Sequence, residues 1–162
     1  MGGFSHLDEK GNAAMVDVSE KPVTRRIALA AGVIRMSGEC YALLREGAIP
    51  KGDVLSVARV AGIMAAKKTS ELIPLCHPLA LTQVTIDFAW HDEECTLEAL
   101  CTAQCTGQTG VEMEALTGVS AALLTVYDMC KAVDRAMVIT DVRLTHKCGG
   151  KSGDFVREPS RA

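Results

Sequence analysis

Three short segments of the 162-residue chain carry more polar chemistry than a structural role requires. Residues 72–79 read Leu-Ile-Pro-Leu-Cys-His-Pro-Leu, so two prolines stiffen a loop and fix the approach of Cys76 and His77. An imidazole held there can bind a phosphate or the edge of a ring, and it can equally be a capping or packed side chain. A Cys-His pair can also ligate a metal, although adjacent residues seldom supply two ligands. Residues 106–114 read Thr-Gly-Gln-Thr-Gly-Val-Glu-Met-Glu at the junction of a strand and a helix. Two glycines there let the backbone approach a ligand closely, and the helix start offers N–H groups. Glu112 and Glu114 suit a helix entry, where carboxylates meet the positive end of the dipole, and that role alone would account for them. In the third segment Asp128 and Lys131 stand at i and i+3, neighbours on one helical face. Held together, acid and amine can exchange protons with a substrate and tune each other, or form an ordinary surface ion pair. The basic residues Lys21, Arg25, Arg26, Lys51, Lys67, Lys131, Lys147 and Lys151 fall near loops and element ends. Brought together they would make a site for an anionic ligand, a polyphosphate being the natural candidate.

The elements that must position these groups alternate between two periods. Residues 24–36 suit a strand, with Ile27, Leu29, Ala31 and Val33 in step. Ser37 suits the N-cap of a short helix with Cys40, Leu43 and Leu44 apolar and Gly47 as its stop. Asp53 caps a longer helix whose expected apolar stripe is Val54, Val57, Ala61, Met64 and Ala65, ending before Pro74. Residues 81–90 alternate, with Thr82, Val84, Ile86, Phe88 and Trp90 on one face. After a polar turn at 91–94, residues 95–106 alternate again, which predicts a hairpin. Residues 111–133 return to a helical period through Leu116, Val119, Leu123, Val126 and Cys130, and 137–144 form a last strand. The order predicts an α+β, ferredoxin-like βαββαβ fold, an antiparallel sheet with helices on one face. Such a sheet leaves one face and its edges in need of partners, which points to a homo-oligomer.

Composition narrows the function classes. A net charge of −3 and a pI near 5.8 argue against nucleic-acid binding, and 48% hydrophobic with 23% charged residues excludes wholesale disorder. With 4% aromatics the core must be small aliphatic side chains, Met and Cys. The length fits a single domain over 1–162, with the polar ends, about 1–14 and 149–162, expected to be mobile without a ligand or partner. The arm before the first strand has too few apolar residues to fold back on its own chain and is expected to reach a neighbour. No apolar run is long enough for a membrane span and no signal peptide is visible, so a cytoplasmic location without membrane association is expected. The seven cysteines form no C-x-x-C and no metal-ligand set. Cys95, Cys101 and Cys105 share parity with Leu97, Ala99 and Ala103, as small buried thiols would.

Taken together, six segments resemble the MoaC family of molybdenum-cofactor biosynthesis. They are Met15-Val16-Asp17-Val18-Ser19, Lys51-Gly52-Asp53-Val54, residues 72–79, 109–116 and 127–132, and Gly149-Gly150-Lys151-Ser152-Gly153. The likeness runs in register from about His6 to Phe155, and six motifs in order are far more specific than one. It implies a lyase-type rearrangement of 3′,8-cyclo-7,8-dihydroguanosine 5′-triphosphate to cyclic pyranopterin monophosphate, with pyrophosphate released. It also implies a ferredoxin-like hexamer, a trimer of dimers, with sites at the dimer interfaces. By motif position Asp128 would be the catalytic acid/base and Lys131 its essential neighbour. Leu75, Cys76 and His77, with Met113 and Glu114, would line the substrate site, and Lys51 and Glu112 match further pocket positions. Lys21, Arg26 and Lys147, near the start of the first strand and the end of the last, complete the expected substrate-binding set, with each site shared between two chains. Gln108 departs from the pattern, since a basic residue is often expected there. No cofactor or metal is expected, with Mg²⁺ accompanying the triphosphate left open. Two rivals stand beside this reading: a non-catalytic ferredoxin-like nucleotide-binding regulatory module, and a zinc-dependent cyclohydrolase-like enzyme using Cys76 and His77.

Overall fold

Side-chain caps set the first two helices of the computed structural model, which describes residues 10–158. After strand β1 (Thr24–Arg35), Ser37 Oγ accepts from the Cys40 amide and starts α1 (Gly38–Arg45). Asp53 accepts from the Ser56 amide at 3.0 Å and starts α2 (Val54–Lys67). A single-turn helix, α3 (Thr69–Leu72), then leads into the proline-stiffened loop. The hairpin β2 (Leu81–His91) and β3 (Thr96–Gly107) follows, then the long helix α4 (Glu112–Cys130), β4 (Val138–Cys148) and β5 (Phe155–Val156).

The sheet order is β2-β3-β1-β4-β5, every neighbouring pair antiparallel. Its first four strands have the ferredoxin-like order expected from the alternation of periods. The two-residue β5 pairs with His146 and Lys147 and was not expected, because so short a run carries no periodicity to read. Expectations for residues 1–9 and 159–162 lie outside the described residues.

The core lies between the sheet and α4, with α2 packed on α4 and β2. On β3 the buried parity is Leu97, Ala99, Cys101, Ala103 and Cys105, as read from alternation. Cys95 is the exception: it sits in the hairpin turn at φ 49° rather than on the strand. On β1 Arg26, Ala28, Ala30 and Ile34 are buried, the parity opposite to the expected apolar run, of which Ile27, Leu29 and Val33 are half-buried and only Ala31 is fully buried. The α2 stripe is also rotated from the expected one. Val54, Ala58, Gly62 and Ala66 are buried, while Val57 and Met64 are exposed. The reason is close approach: a Cβ on Gly62 would stand 2.8 Å from the Gly118 carbonyl oxygen of α4. Small residues win the inner face because they let the two backbones meet, and the larger side chains are turned outward.

All seven cysteines are free, with Cys40, Cys101, Cys105 and Cys130 buried. Burial pushes the thiols of Cys101 and Cys130 up to about 12, so both are uncharged packing groups. Among the described residues no helix is long and apolar enough to cross a membrane.

Candidate active site

The α3–β2 loop and the β3–α4 junction face each other across a cleft of about 600 Å³. Leu75, Cys76 and His77 form one wall, Glu112, Met113 and Glu114 the other, and Val16, Val18 and Lys21 close the third side. A second cavity of about 330 Å³ is lined by Lys21, Arg26, Lys147, Lys151 and Ser152. The two share Lys21, Thr109, Gly110 and Glu112, so they are lobes of one cleft, the first mainly apolar and the second cationic.

Glu114 is 4% exposed at the base of the first lobe. Desolvation raises its pKa, and the Glu112 carboxylate adds to the shift. A carboxyl so placed holds its proton to higher pH than an ordinary glutamic acid and can donate a hydrogen bond to a ligand. The Cys76 thiol is also raised, by burial first and then by Glu114, which makes it a poor thiolate. His77 Nε2 donates to the Val16 carbonyl at 2.8 Å. A carbonyl only accepts, so Nε2 carries the proton, and in the neutral ring Nδ1 can accept from a ligand. Among the described residues no three His, Cys, Asp or Glu side chains converge to hold a metal ion.

In the cationic lobe, Arg26 is buried at 8% exposure. Its guanidinium donates to the carbonyls of Gly107, Gln108 and Gly149, each at 3.3 Å. The loop after β4 can lie this close only because Gly149 and Gly150 adopt φ of 94° and 81°, and a Cβ on Gly150 would overlap the Arg26 guanidinium. Lys147 reaches Glu112 Oε1 at 3.6 Å and also bonds Ser152 Oγ. Four cations therefore face one lobe with a single carboxylate among them, a field suited to a polyanion.

Asp128, Lys131 and Lys51 line neither lobe. Lys131 Nζ donates to Asp128 Oδ1 at 2.6 Å, and Lys51 Nζ donates to Asp128 Oδ2 at 3.1 Å and to its carbonyl at 3.0 Å. The hydrogen bond from Lys131, then that from Lys51, holds the Asp128 carboxyl below the usual carboxylate range. Asp128 is thus an ionised hub for two ammonium groups, all three about half exposed. Met113 and Asp128 sit at opposite ends of α4, roughly 22 Å apart at ~1.5 Å of rise per residue. One small substrate cannot touch both ends within one chain.

The expected basic set therefore divides. Lys21, Arg26, Lys147 and Lys151 converge, Lys51 and Lys131 form the separate triad, and Arg25 instead bonds Gln104 on β3. The arm also departs from expectation, because residues 16–21 lie against their own chain. Polar bonds to backbone carbonyls hold them, and these leave no mark in an apolar count. The pairing of Lys51 with Asp128, distant in sequence, had no local signal either.

Comparison with known proteins covers nearly the whole chain. The MoaC family model matches residues 15–150. A cyclic pyranopterin monophosphate synthase of Clostridium botulinum (strain Alaska E43 / Type E3) is 58% identical over 155 residues, 96% of this chain and 98% of the relative. Proteins of the same name from Heliobacterium modesticaldum and Pelotomaculum thermopropionicum are each 57% identical, covering 98% and 100% of this chain and 99% and 95% of their own.

Proposed function

This chain belongs to the MoaC family, and from that premise we propose that it is an enzyme of molybdenum-cofactor biosynthesis, a lyase that forms cyclic pyranopterin monophosphate. Its substrate is 3′,8-cyclo-7,8-dihydroguanosine 5′-triphosphate, and pyrophosphate leaves. The observation that carries the reading is the two-lobed cleft, an apolar lobe fused to a cationic one at Lys21, Thr109, Gly110 and Glu112. The purine-derived rings occupy the first lobe, where His77 Nδ1 and the Glu114 carboxyl meet their polar edges. The triphosphate occupies the second, where Lys21 captures it and Arg26 and Lys147 stabilise the charge that builds as a ribose-derived hydroxyl displaces pyrophosphate from the α-phosphorus. Mg²⁺ accompanying the leaving phosphates would complement these cations.

Opening the five-membered purine ring and closing the pterin both need proton transfers. Asp128 and Lys131 serve them, with Lys51 as the second amine on the same carboxylate. The ~22 Å between this triad and the cleft of the same chain supports a composite site, in which a neighbouring copy brings its triad to the cleft. A hexamer built as a trimer of dimers would supply such pairs. Incubation of the purified protein with the cyclised GTP derivative tests the reaction. The expected result is a pterin product with stoichiometric pyrophosphate; binding without turnover would contradict it and favour a regulatory nucleotide-binding module.

A further inference from the structure

Gln108 is held at both ends. Its carbonyl accepts from buried Arg26, and its side-chain Nε2 donates to the carbonyls of Ser19 at 2.9 Å and Lys21 at 3.0 Å. The strap that carries these carbonyls has a second anchor, the His77 bond to Val16, and its own bends: Lys21 N donates to the Val18 carbonyl, and Ser19 N to Asp17 Oδ1. Lys21 is the side chain on this strap that borders both lobes. The strap begins 16 residues into the chain and contributes only two valines to the cleft, so apolar burial is too small to fix where Lys21 sits.

We propose that Gln108 is a positioning residue, a latch that ties the 16–21 strap to the β3–α4 junction and so places the Lys21 ammonium at the meeting point of the lobes. Arg26 anchors the latch from below, by fixing the Gly107 and Gln108 carbonyls to β1 and to the loop at Gly149. An amide suits the position. Its NH₂ can serve two carbonyls at once, and it adds no charge of its own beside the Lys21, Arg26 and Lys147 cations. The latch holds the cation that meets the polyanion and stays clear of the proton-transferring triad. It therefore governs capture of the triphosphate, not the chemical step.

This inference rests on the proposed triphosphate substrate, so its test begins with wild-type protein, whose turnover of the cyclised GTP derivative judges that reading separately. Gln108→Glu keeps the shape, removes the donors and sets a carboxylate against two carbonyls. It should raise KM for that substrate at least ~10-fold while kcat stays within about threefold, and it should weaken binding of inorganic triphosphate similarly. Amide exchange at Ser19 and Lys21 should speed up in the same variant, because the strap opens. Gln108→Lys, which can donate to both carbonyls, should restore slow exchange and KM together. An unchanged KM in Gln108→Glu, or a loss confined to kcat, overturns the proposal. So does a KM restored by lysine with the strap still exchanging fast, since added charge and not the latch would then be responsible.

Discussion

Asp128 accepts from two lysines, one on its own helix and one from the loop before α2. That arrangement holds its carboxyl below the usual carboxylate range, through the Lys131 hydrogen bond first and the Lys51 hydrogen bond second. Because the folded pKa lies below the ordinary carboxylate value, the pairing adds stability above that ordinary value and loses it as the pH falls through the folded one. Lys131 is the larger cause, so Lys131→Ala should move the Asp128 carboxyl midpoint upward in a carbon-13 NMR titration; no movement would remove the 2.6 Å bond from the account. Asp128→Asn and Lys131→Ala should each lower turnover by at least ~10²-fold with the fold intact, as judged by circular dichroism, because neither side chain enters the core. At this scale the i, i+3 spacing made Lys131 legible as the partner of Asp128. Lys51 was not legible as the second partner, since only the tertiary fold brings it across 77 positions. Gln108, read from sequence as a lost basic residue, proves to bond backbone carbonyls instead of waiting for an anion.

Elements were read more securely than their faces. Caps at Ser37 and Asp53 and the two alternating runs of the hairpin are local signals, and each marked its element correctly. The face of α2 depended on something no hydropathy period contains, the distance to its neighbour. Counting apolar bulk favoured Val57 and Met64, whereas contact between the backbones of α2 and α4 favours Gly62 and Gly118. A Cβ on Gly62 would meet the Gly118 carbonyl at 2.8 Å and Ile86 Cδ1 at 2.9 Å. Gly62→Ala should therefore lower unfolding stability by about 1–3 kcal/mol in urea titration, although alanine in a free helix would gain ~1 kcal/mol. A more stable variant would mean that α2 and α4 can part without cost.

At the scale of the molecule, the helix that builds both functional regions also separates them. The N-terminal end of α4 places Glu112, Met113 and Glu114 in the cleft, and its C-terminal end presents Asp128 and Lys131 outward with Lys51. The sequence reading placed these residues in one site shared between two chains, and it left open which chain supplies each basic residue, because motifs along a chain do not say which end of a helix faces which partner. In the proposed composite site two copies complete each other. Lys21→Ala impairs the cleft and Lys131→Ala the triad, so the variants damage different halves of one composite site. Mixed as unfolded chains and refolded together, they should regain roughly a quarter of wild-type turnover. Random pairing makes half the dimers mixed, and each mixed dimer has one intact site of two. Assayed at substrate well below KM, each variant refolded alone should show little turnover. No gain on mixing, with subunit exchange confirmed by a tag on one variant, would contradict a site shared between chains.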